Sequence, residues 1–278
     1  MKSIVRTIYG AHVQTCLITD QPLGILPNST LNEKFSIQAT TGIAPTDRPK
    51  LKYMGIGNGG HRTIAGANGI SRPVPVQHRS TDAVLYNHIP FVLRKLNNDL
   101  TASQKAKYAM RRIEEHGGEN YAAYYLKRVD FSAAVAQMTY NAVVNDVVTK
   151  TPFVPTASNL NPVPPDLTQT GSNVTTGDYV TDEALVAFVL SSIDAQEVID
   201  AMNIINGDTG YAIISEINLC TGVDKTISIE NGANFSEAIG CQSAMMANLF
   251  VPLDFNTGGV ELDITVGATE PLWLLNGA

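Results

Sequence analysis

Proline, glycine and asparagine interrupt nearly every apolar segment of this chain, which leaves few segments long enough for an extended helix. In the second half, short apolar segments alternate with Gly or Asn turns, at residues 211–220, 225–230, 247–253, 260–266 and 272–275. This spacing is typical of antiparallel sheets with helices set beside them. The sequence therefore predicts the α+β class, with predominantly short antiparallel strands, a few helices and an extended proline-rich arm.

The first 80 residues predict little regular structure. We expect one strand at about residues 3–8 and then irregular, extended backbone, because prolines recur up to Pro49. The glycine-rich residues 54–61, continued by Gly66 and Asn68-Gly69, predict a loop with several positive φ angles. They contain the GxGxxG string of dinucleotide sites, but further glycines and prolines prevent the helix that such a site needs after it. We therefore expect no nucleotide at this loop.

Residues 98–130 give the clearest local prediction. Thr101 is placed to cap a short helix at about residues 102–107, with Gln104 in the capping-box position. Two continuations are open: one long helix that ends at Gly117 and Gly118, or a β-hairpin over about residues 108–130 that turns at residues 116–119. Alternating side chains and three tyrosines favour the hairpin.

A second helix is predicted over residues 192–205. Ser192 can cap it, and Asp194 and Glu197 lie near its positive end. Its apolar residues approximate one stripe along the helix. The Asn206-Gly207 pair is expected to end it, since glycine adopts the left-handed conformation that follows many helices.

Charge is distributed unevenly along the chain. Residues 1–150 contain 18 Lys and Arg against 10 Asp and Glu, whereas residues 151–278 contain Lys225 and 16 Asp and Glu. The basic residues are scattered, which disfavours an arm for nucleic acid. We expect the basic half to contact the acidic half, either within one subunit or on the next subunit. Head-to-tail contacts between subunits build a ring when the rotation from one subunit to the next closes.

Three regions follow from these patterns. Residues 1–150 form a basic, loop-rich region with the hairpin, and residues 179–278 form an acidic α+β domain. Residues 151–178 contain five prolines and no periodic apolar face, which predicts a linker or an arm that lies on another surface.

No pattern of catalytic or metal-binding residues stands out. The three cysteines have no CxxC spacing and are expected to be buried free thiols, and the five histidines form no ligand motif. The carboxylates of the second half, including Asp194, Glu197 and Asp200, are typical of a solvated face. We expect no enzyme activity, no cofactor, no metal and no small-molecule substrate. The longest strictly apolar run, residues 184–190, is far too short to span a membrane. We also expect that the chain has no signal peptide and is synthesised in the host cytoplasm.

Tyr121, Tyr124, Tyr125, Lys127 and Arg128 are the candidate interface residues. Tyrosine beside Lys and Arg could stack nucleic-acid bases, but Tyr and Arg are also enriched at protein interfaces. Because the chain is acidic overall, we expect a protein partner and regard nucleic acid as the weaker alternative.

Two segments carry a resemblance. Residues 85–130 read LYNHIPFVLRKLNNDLTASQKAKYAMRRIEEHGGENYAAYYLKRVD, and residues 203–225 read NIINGDTGYAIISEINLCTGVDK. Together they resemble the structural proteins of tailed bacteriophage particles. The resemblance implies a virion protein that assembles, with copies of itself and other virion proteins, in the tail baseplate or the adjoining tail or neck. It implies no catalytic residues.

Two other functions remain open. One is a capsid-decorating or fibre-attaching module, and the other is a virion-associated hydrolase with convergent carboxylates. A low share of charged residues, at 16%, suits a subunit whose faces are covered by neighbours, and this favours the assembly protein.

Overall fold

The computed structural model describes residues 2–66, 68–160, 177–254 and 260–271. The chain divides into two compact units. Unit 1 consists of Met1–Asp130 and Val189–Val260, and unit 2 consists of Phe131–Phe188 and Glu261–Ala278.

Strands dominate the described residues, and helices are few. The strands are β1 (Lys2–Arg6), β2 (Lys50–Gly57), β3 (His61–Ala65), β4 (Ser71–Pro75), β5 (His88–Ile89), β6 (Val92–Lys95), β7 (Tyr108–His116), β8 (Glu119–Arg128), β9 (Gln137–Val144), β10 (Val147–Pro152), β11 (Tyr179–Leu190), β12 (Ile213–Ser228), β13 (Asn234–Asp254) and β14 (Val260–Pro271). The helices are α1 (Ile8–Ile18), α2 (Leu31–Phe35), α3 (Ala102–Lys105), α4 (Ala157–Leu160) and α5 (Ser192–Asn206). This confirms a largely antiparallel sheet architecture with a few helices.

An eight-stranded antiparallel sheet forms the body of unit 1. Its main path runs β1-β13-β12-β2-β8-β6, with β5 paired to β2 and β7 paired to β8. The prediction of short strands is wrong for its centre, where β12 has 16 residues and β13 has 21. The residues expected to form a turn near Gly222 continue β12 instead, because register shifts on both sides of Thr221 let the strand bend without breaking.

The predicted hairpin is present. β7 and β8 pair in antiparallel register from Tyr108 opposite Lys127 to His116 opposite Glu119, so the turn is the two residues Gly117 and Gly118. Their φ angles of 60° and 79° are the left-handed values that a tight hairpin turn requires and that glycine adopts without strain.

Both predicted helices are confirmed, with one correction. Thr101 and Gln104 form the capping box of α3, and Gly207 ends α5 in the left-handed conformation. The cap of α5 is Ser191 rather than Ser192, because Ser191 Oγ accepts from the Asp194 amide while the Asp194 carboxylate accepts from the Ser191 amide.

The N-terminal region is more regular than predicted. The strand ends at Arg6, and the expected irregular segment is the helix α1, which begins after Thr7 caps the Gly10 amide at 3.1 Å. α1 lies against β13, and a side chain at Gly10 would come within 2.6 Å of the Ala244 carbonyl oxygen. Packing against the sheet therefore fixes this helix, which local propensity does not indicate.

The units differ from the three predicted regions. β2, from the basic half, pairs with β12, from the acidic half, so one sheet joins segments that the sequence analysis separated at residues 151–178. Most of the predicted arm, residues 161–176, lies outside the described residues. In its described part, β10 continues to Pro152 and α4 follows at Ala157.

Unit 2 contains a four-stranded sheet in the order β10-β9-β11-β14. β9 and β10 form a hairpin through Asn145 and Asp146, both of which have positive φ. One face of this sheet is packed, since Asn141 and Thr181 are buried there. A separate two-stranded sheet, β3-β4, extends from unit 1.

Candidate functional site

Of the glycine-rich residues 54–61, residues 54–57 belong to β2 and residues 58–60 form a bend before β3, and together they lie against a buried carboxylate. Glu216 on β12 is fully buried, and each of its oxygens accepts two hydrogen bonds. Oε1 accepts from the amides of Gly59 and Asn87, both at 2.9 Å. Oε2 accepts from the amide of Tyr86 at 3.0 Å and lies 2.8 Å from Nε2 of His78. We call Glu216 and these four donors the Glu216 cluster.

The electrostatics of this cluster favour an ionised glutamate. Burial opposes ionisation, but the His78 hydrogen bond and the amides of Asn87 and Tyr86 outweigh it and hold the pKa of Glu216 below its ordinary value. His78 is buried as well, stacks on Tyr86 at 4.4 Å, and has Nδ1 3.5 Å from Oδ2 of Asp82. Both oxygens of Glu216 are occupied by these hydrogen bonds, which join the segment around residues 78–87 to the central sheet. The role of Glu216 is therefore structural.

Close approach, rather than positive φ, explains the glycines. None of Gly55, Gly57, Gly59 and Gly60 has a positive φ. A side chain at Gly57 would come within 2.5 Å of the Asn87 carbonyl oxygen and 2.8 Å of Glu216 Oε1. The glycines of the GxGxxG string therefore leave the space that the Glu216 cluster occupies. Of the expected loop, residues 58–60 form a bend without positive φ angles, whereas Gly69, between β3 and β4, has a φ of 73°.

We predict that Gly57→Ala lowers the free energy of unfolding by about 2–4 kcal/mol, because backbone on the neighbouring segment blocks the added methyl group. Gly24→Ala is the matched control, since a side chain there meets nothing within 4 Å. Urea denaturation of both variants measures the difference. Equal stabilities would show that the segment moves aside at little cost.

The three candidate tyrosines are buried inside unit 1 and are not available to a partner, which corrects the interface prediction. The Tyr124 hydroxyl donates to Oδ1 of Asp99 at 2.7 Å, and the Tyr125 hydroxyl donates to Oε1 of Glu114 at 2.5 Å. Tyr125 also stacks on Phe35 with 4.3 Å between ring centroids, and Tyr121 is 8% exposed. These rings are therefore core residues of unit 1.

The two candidate cations are paired within the same chain. Lys127 Nζ lies 2.7 Å from Oδ1 of Asp194, and Arg128 donates to Oδ1 of Asp224 at 2.5 Å and to the Ser236 carbonyl at 2.8 Å. The predicted meeting of basic and acidic halves therefore takes place inside unit 1. Burial opposes ionisation of Asp194 and Asp224, but Lys127 and Arg128 respectively outweigh it and hold the pKa of each carboxyl below its ordinary value.

We predict that Lys127→Ala lowers the free energy of unfolding by about 1–3 kcal/mol, because it leaves the half-buried Asp194 without its cation. The oligomeric state should not change, since Lys127 is satisfied within the chain. Lys107→Ala is the matched control because Lys107 is an exposed lysine next to the same hairpin. Thermal unfolding measures the change in stability, and light scattering measures the oligomeric state. A change in molar mass for Lys127→Ala would support the predicted interface at the hairpin instead.

A polar cavity of about 310 Å³ lies beside the hairpin, lined by Asp99, Lys105, Arg111 and Glu230 among others. Its charges are paired with one another. Arg111 contacts Asp99 at 3.1 Å and Glu230 at 2.6 Å, and Lys105 contacts Asp99 at 2.9 Å. The cavity is thus bounded by a closed network of ion pairs within unit 1.

The net charge belongs to unit 2. By sequence, unit 1 contains 18 Lys and Arg and 18 Asp and Glu, whereas unit 2 contains Lys150 and eight Asp and Glu. Asp146, Asp182, Glu261 and Glu270 are exposed, and none forms an ion pair within the part of the chain that the structure describes. Unit 2 therefore carries the net negative charge of the chain.

One face of the unit 2 sheet exposes apolar side chains. Met138, Val144 and Val147 are 54%, 65% and 64% exposed. They share a face with Asp182, since Asp182 is opposite Met138 and Val147 is opposite Val144 in register. We call these four residues the outer face. Asp146, in the turn between Val144 and Val147, gives the outer face a carboxylate at each end.

Two other kinds of feature are absent from the described residues. No group of three or more His, Cys, Asp and Glu residues is arranged to hold a metal ion within the described ranges. No helix in that part of the chain is long and apolar enough to cross a membrane. The three cysteines are buried and free, as predicted.

A protein-family model matches residues 1–278, and the chain belongs to that family, a family of unknown function (DUF7208). No curated protein and no solved structure matches the chain. Sequence reasoning missed Glu216 and His78 because the two residues are 138 positions apart, and the glycine pattern was the one local signal of their meeting.

Proposed function

We propose that the chain is a structural subunit of a tailed phage particle that assembles through protein-protein contacts in the tail baseplate or the adjoining tail or neck. Its partners are other copies of itself and other virion proteins, and its role is not catalytic. The resemblance of residues 85–130 and 203–225 to structural proteins of tailed phage particles supports the particle.

The outer face is the observation that carries the assembly role. Val144 and Val147 are adjacent across the β9-β10 hairpin and Met138 lies on the same face, each more than half exposed, and apolar side chains exposed together on one face are typical of protein-protein interaction sites. The neighbouring strand β10 is exposed along its whole length and pairs only with β9 among the described strands, so its outer backbone groups are open to a partner.

Unit 1 supports the same role in another way. Its charged hairpin residues are paired internally, and the Glu216 cluster joins distant segments of the sheet. Because these contacts are closed within unit 1, its charged hairpin residues are not available to neighbours, and assembly depends on other surfaces. On sequence grounds, the proline-rich stretch that follows β10 is proposed as an arm that lies on a neighbouring subunit.

Quantitative mass spectrometry of purified particles tests the proposal. We expect the chain to co-purify with the particles, at a fixed ratio of several copies to the other tail proteins. Recovery of the chain only in the soluble fraction of infected cells, with none in washed particles, would contradict a structural role.

A further inference from the structure

The β3-β4 hairpin projects from unit 1 as an exposed two-stranded finger. We call His61–Ala65 and Ser71–Pro75, with the turn between them, the finger. Every described residue from Arg62 to Pro73 is exposed. Only its base is anchored, where Nε2 of His61 lies 3.1 Å from the Phe250 carbonyl and Asn248 Nδ2 donates to the Val76 carbonyl at 2.6 Å. A two-stranded hairpin with so little support is marginally stable by itself and gains most from a partner.

One face of the finger combines cations with an apolar side chain. In the register of β3 and β4, Ile64 is opposite Arg72, and Arg62 is two residues from Ile64 on the same face. Ile64 is 44% exposed, and Ile70 at the turn is 74% exposed. The Arg62 guanidinium lies 5.9 Å from the Tyr86 ring centroid. Neither arginine forms an ion pair among the residues that the structure describes.

All the charged residues around the finger in the sequence are basic. No Asp or Glu occurs from Arg48 to Thr81, a stretch with six Lys and Arg residues. Of these six, Arg48, Lys52 and Arg79 are paired with carboxylates of unit 1. The finger arginines are therefore left with positive charge that unit 1 does not neutralise.

The outer face has the complementary chemistry. It places Met138 beside Asp182 at one end and Val144 and Val147 beside Asp146 at the other, on a unit with eight acidic residues and one lysine. The finger presents an apolar side chain between two unpaired arginines. Apolar contact at the centre with charge pairs at the rim is the usual arrangement of a specific protein interface.

We infer that the finger of one copy docks on the outer face of unit 2 of a second copy. This inference rests on the proposed function and names the contact through which copies assemble. Because the finger and the outer face are different surfaces, the contact is heterologous, and each docked copy still offers a free finger or a free outer face. Repetition of the contact builds a ring when the rotation closes and a filament when it does not.

The test compares molar masses of full-length chains by light scattering. Wild type is expected to form multimers at about 0.05 M salt that dissociate at about 0.5 M salt, because the exposed arginine-carboxylate pairs are screened. R62E/R72E is expected to stay monomeric at both salts, so its mass at low salt falls at least about twofold. K107E/K225E is the matched control, since it makes the same change in net charge at exposed lysines outside the finger, and it should assemble like wild type.

A mixing experiment separates docking between copies from a general effect of charge. V147R/D182R reverses the outer face and keeps the finger, while R62E/R72E reverses the finger and keeps the outer face. Each variant is expected to be monomeric alone, and an equimolar mixture should form a one-to-one complex through the intact finger of one and the intact outer face of the other. Circular dichroism confirms that both variants are folded.

The outcomes decide the inference separately from the proposed function. Multimers that R62E/R72E leaves intact would overturn the finger contact, as would a monomeric wild type, whereas particle mass spectrometry decides the structural role. Loss of binding to duplex DNA in R62E/R72E, with no effect on molar mass, would overturn the protein partner and assign the finger to nucleic acid, whose major groove admits a two-stranded ribbon.

Discussion

Replacing Glu216 with glutamine is expected to lower the free energy of unfolding of unit 1 by about 3–5 kcal/mol, the usual cost of breaking a buried charged cluster from one side. The carboxylate accepts four hydrogen bonds, two on each oxygen. Glutamine places an NH₂ group where one oxygen stood. Turned one way, that group meets the amides of Gly59 and Asn87; turned the other way, it meets the Tyr86 amide and replaces the charged oxygen that His78 contacts.

Urea denaturation followed by far-ultraviolet circular dichroism measures this effect. E115Q is the matched control, because Glu115 is an exposed glutamate on β7, and its change should stay within about 0.5 kcal/mol. If E216Q were as stable as E115Q, the Glu216 cluster would not hold the segment around residues 78–87 to the sheet, and the structural role assigned to it would be wrong.

Glu237 is expected to make the stability of unit 1 fall as the pH rises from about 4.5 to about 8. Glu237 is 1% exposed on β13, and burial raises its pKa from 4.5 to about 8. The Arg111 amide, 2.9 Å from Oε1, and the positive charges of Arg111 and Arg128 oppose this shift without cancelling it. The buried side chain is therefore a neutral acid at pH 7.

The sign of the effect follows from proton binding. Between pH 4.5 and about 8 the folded chain holds a proton on Glu237 that the unfolded chain releases, so stability is highest below that range and is lost across it. A shift of this size corresponds to about 3–5 kcal/mol. Asp194 and Asp224, whose pKa values are lowered, act in the opposite direction and lose their contribution as the pH falls below the ordinary range of a carboxyl.

E237Q isolates the contribution of Glu237. Glutamine resembles the neutral acid, still accepts from the Arg111 amide, and does not ionise. We expect E237Q to match wild type at about pH 5 and to exceed it by several kcal/mol at about pH 9, in urea denaturation at both pH values. E115Q should follow wild type at both. Parallel curves for E237Q and wild type from pH 5 to 9 would contradict a buried neutral acid.

Local signals in the sequence predicted the elements that local contacts define. The capping box of Thr101 and Gln104 and the Gly117-Gly118 turn involve residues at most a few positions apart, and the structure contains both. The interaction partners lie inside the pattern itself, so one sequence is enough to indicate them.

Features that depend on distant partners were beyond the sequence. Nothing near Gly57 indicates that Glu216 occupies the space beside it, and the same pattern is typical of a loop. The sequence indicates exposed interface tyrosines on β8, because their partners, Asp99, Glu114 and Phe35, become neighbours only in the folded sheet. Division of the chain at residues 151–178 failed for the same reason, since β2 and β12 pair across it.

The distribution of charge was predicted in part. The sequence indicated that basic and acidic segments meet, and Lys127 with Asp194 is one such contact. It did not indicate that unit 1 is balanced and that unit 2 carries the excess, because the two units are assembled from separate parts of the chain. That redistribution moves the expected assembly surface from the hairpin to unit 2.

Immunogold labelling of purified particles tests the central claim, a structural subunit of the tail, most directly. Antibodies raised against the full chain are expected to place gold at the baseplate end of the tail or at the neck, and antibody absorbed with the purified chain should give no label. Gold on the capsid would contradict the tail assignment, and particles without label, with the chain found free in the lysate, would contradict a structural role altogether.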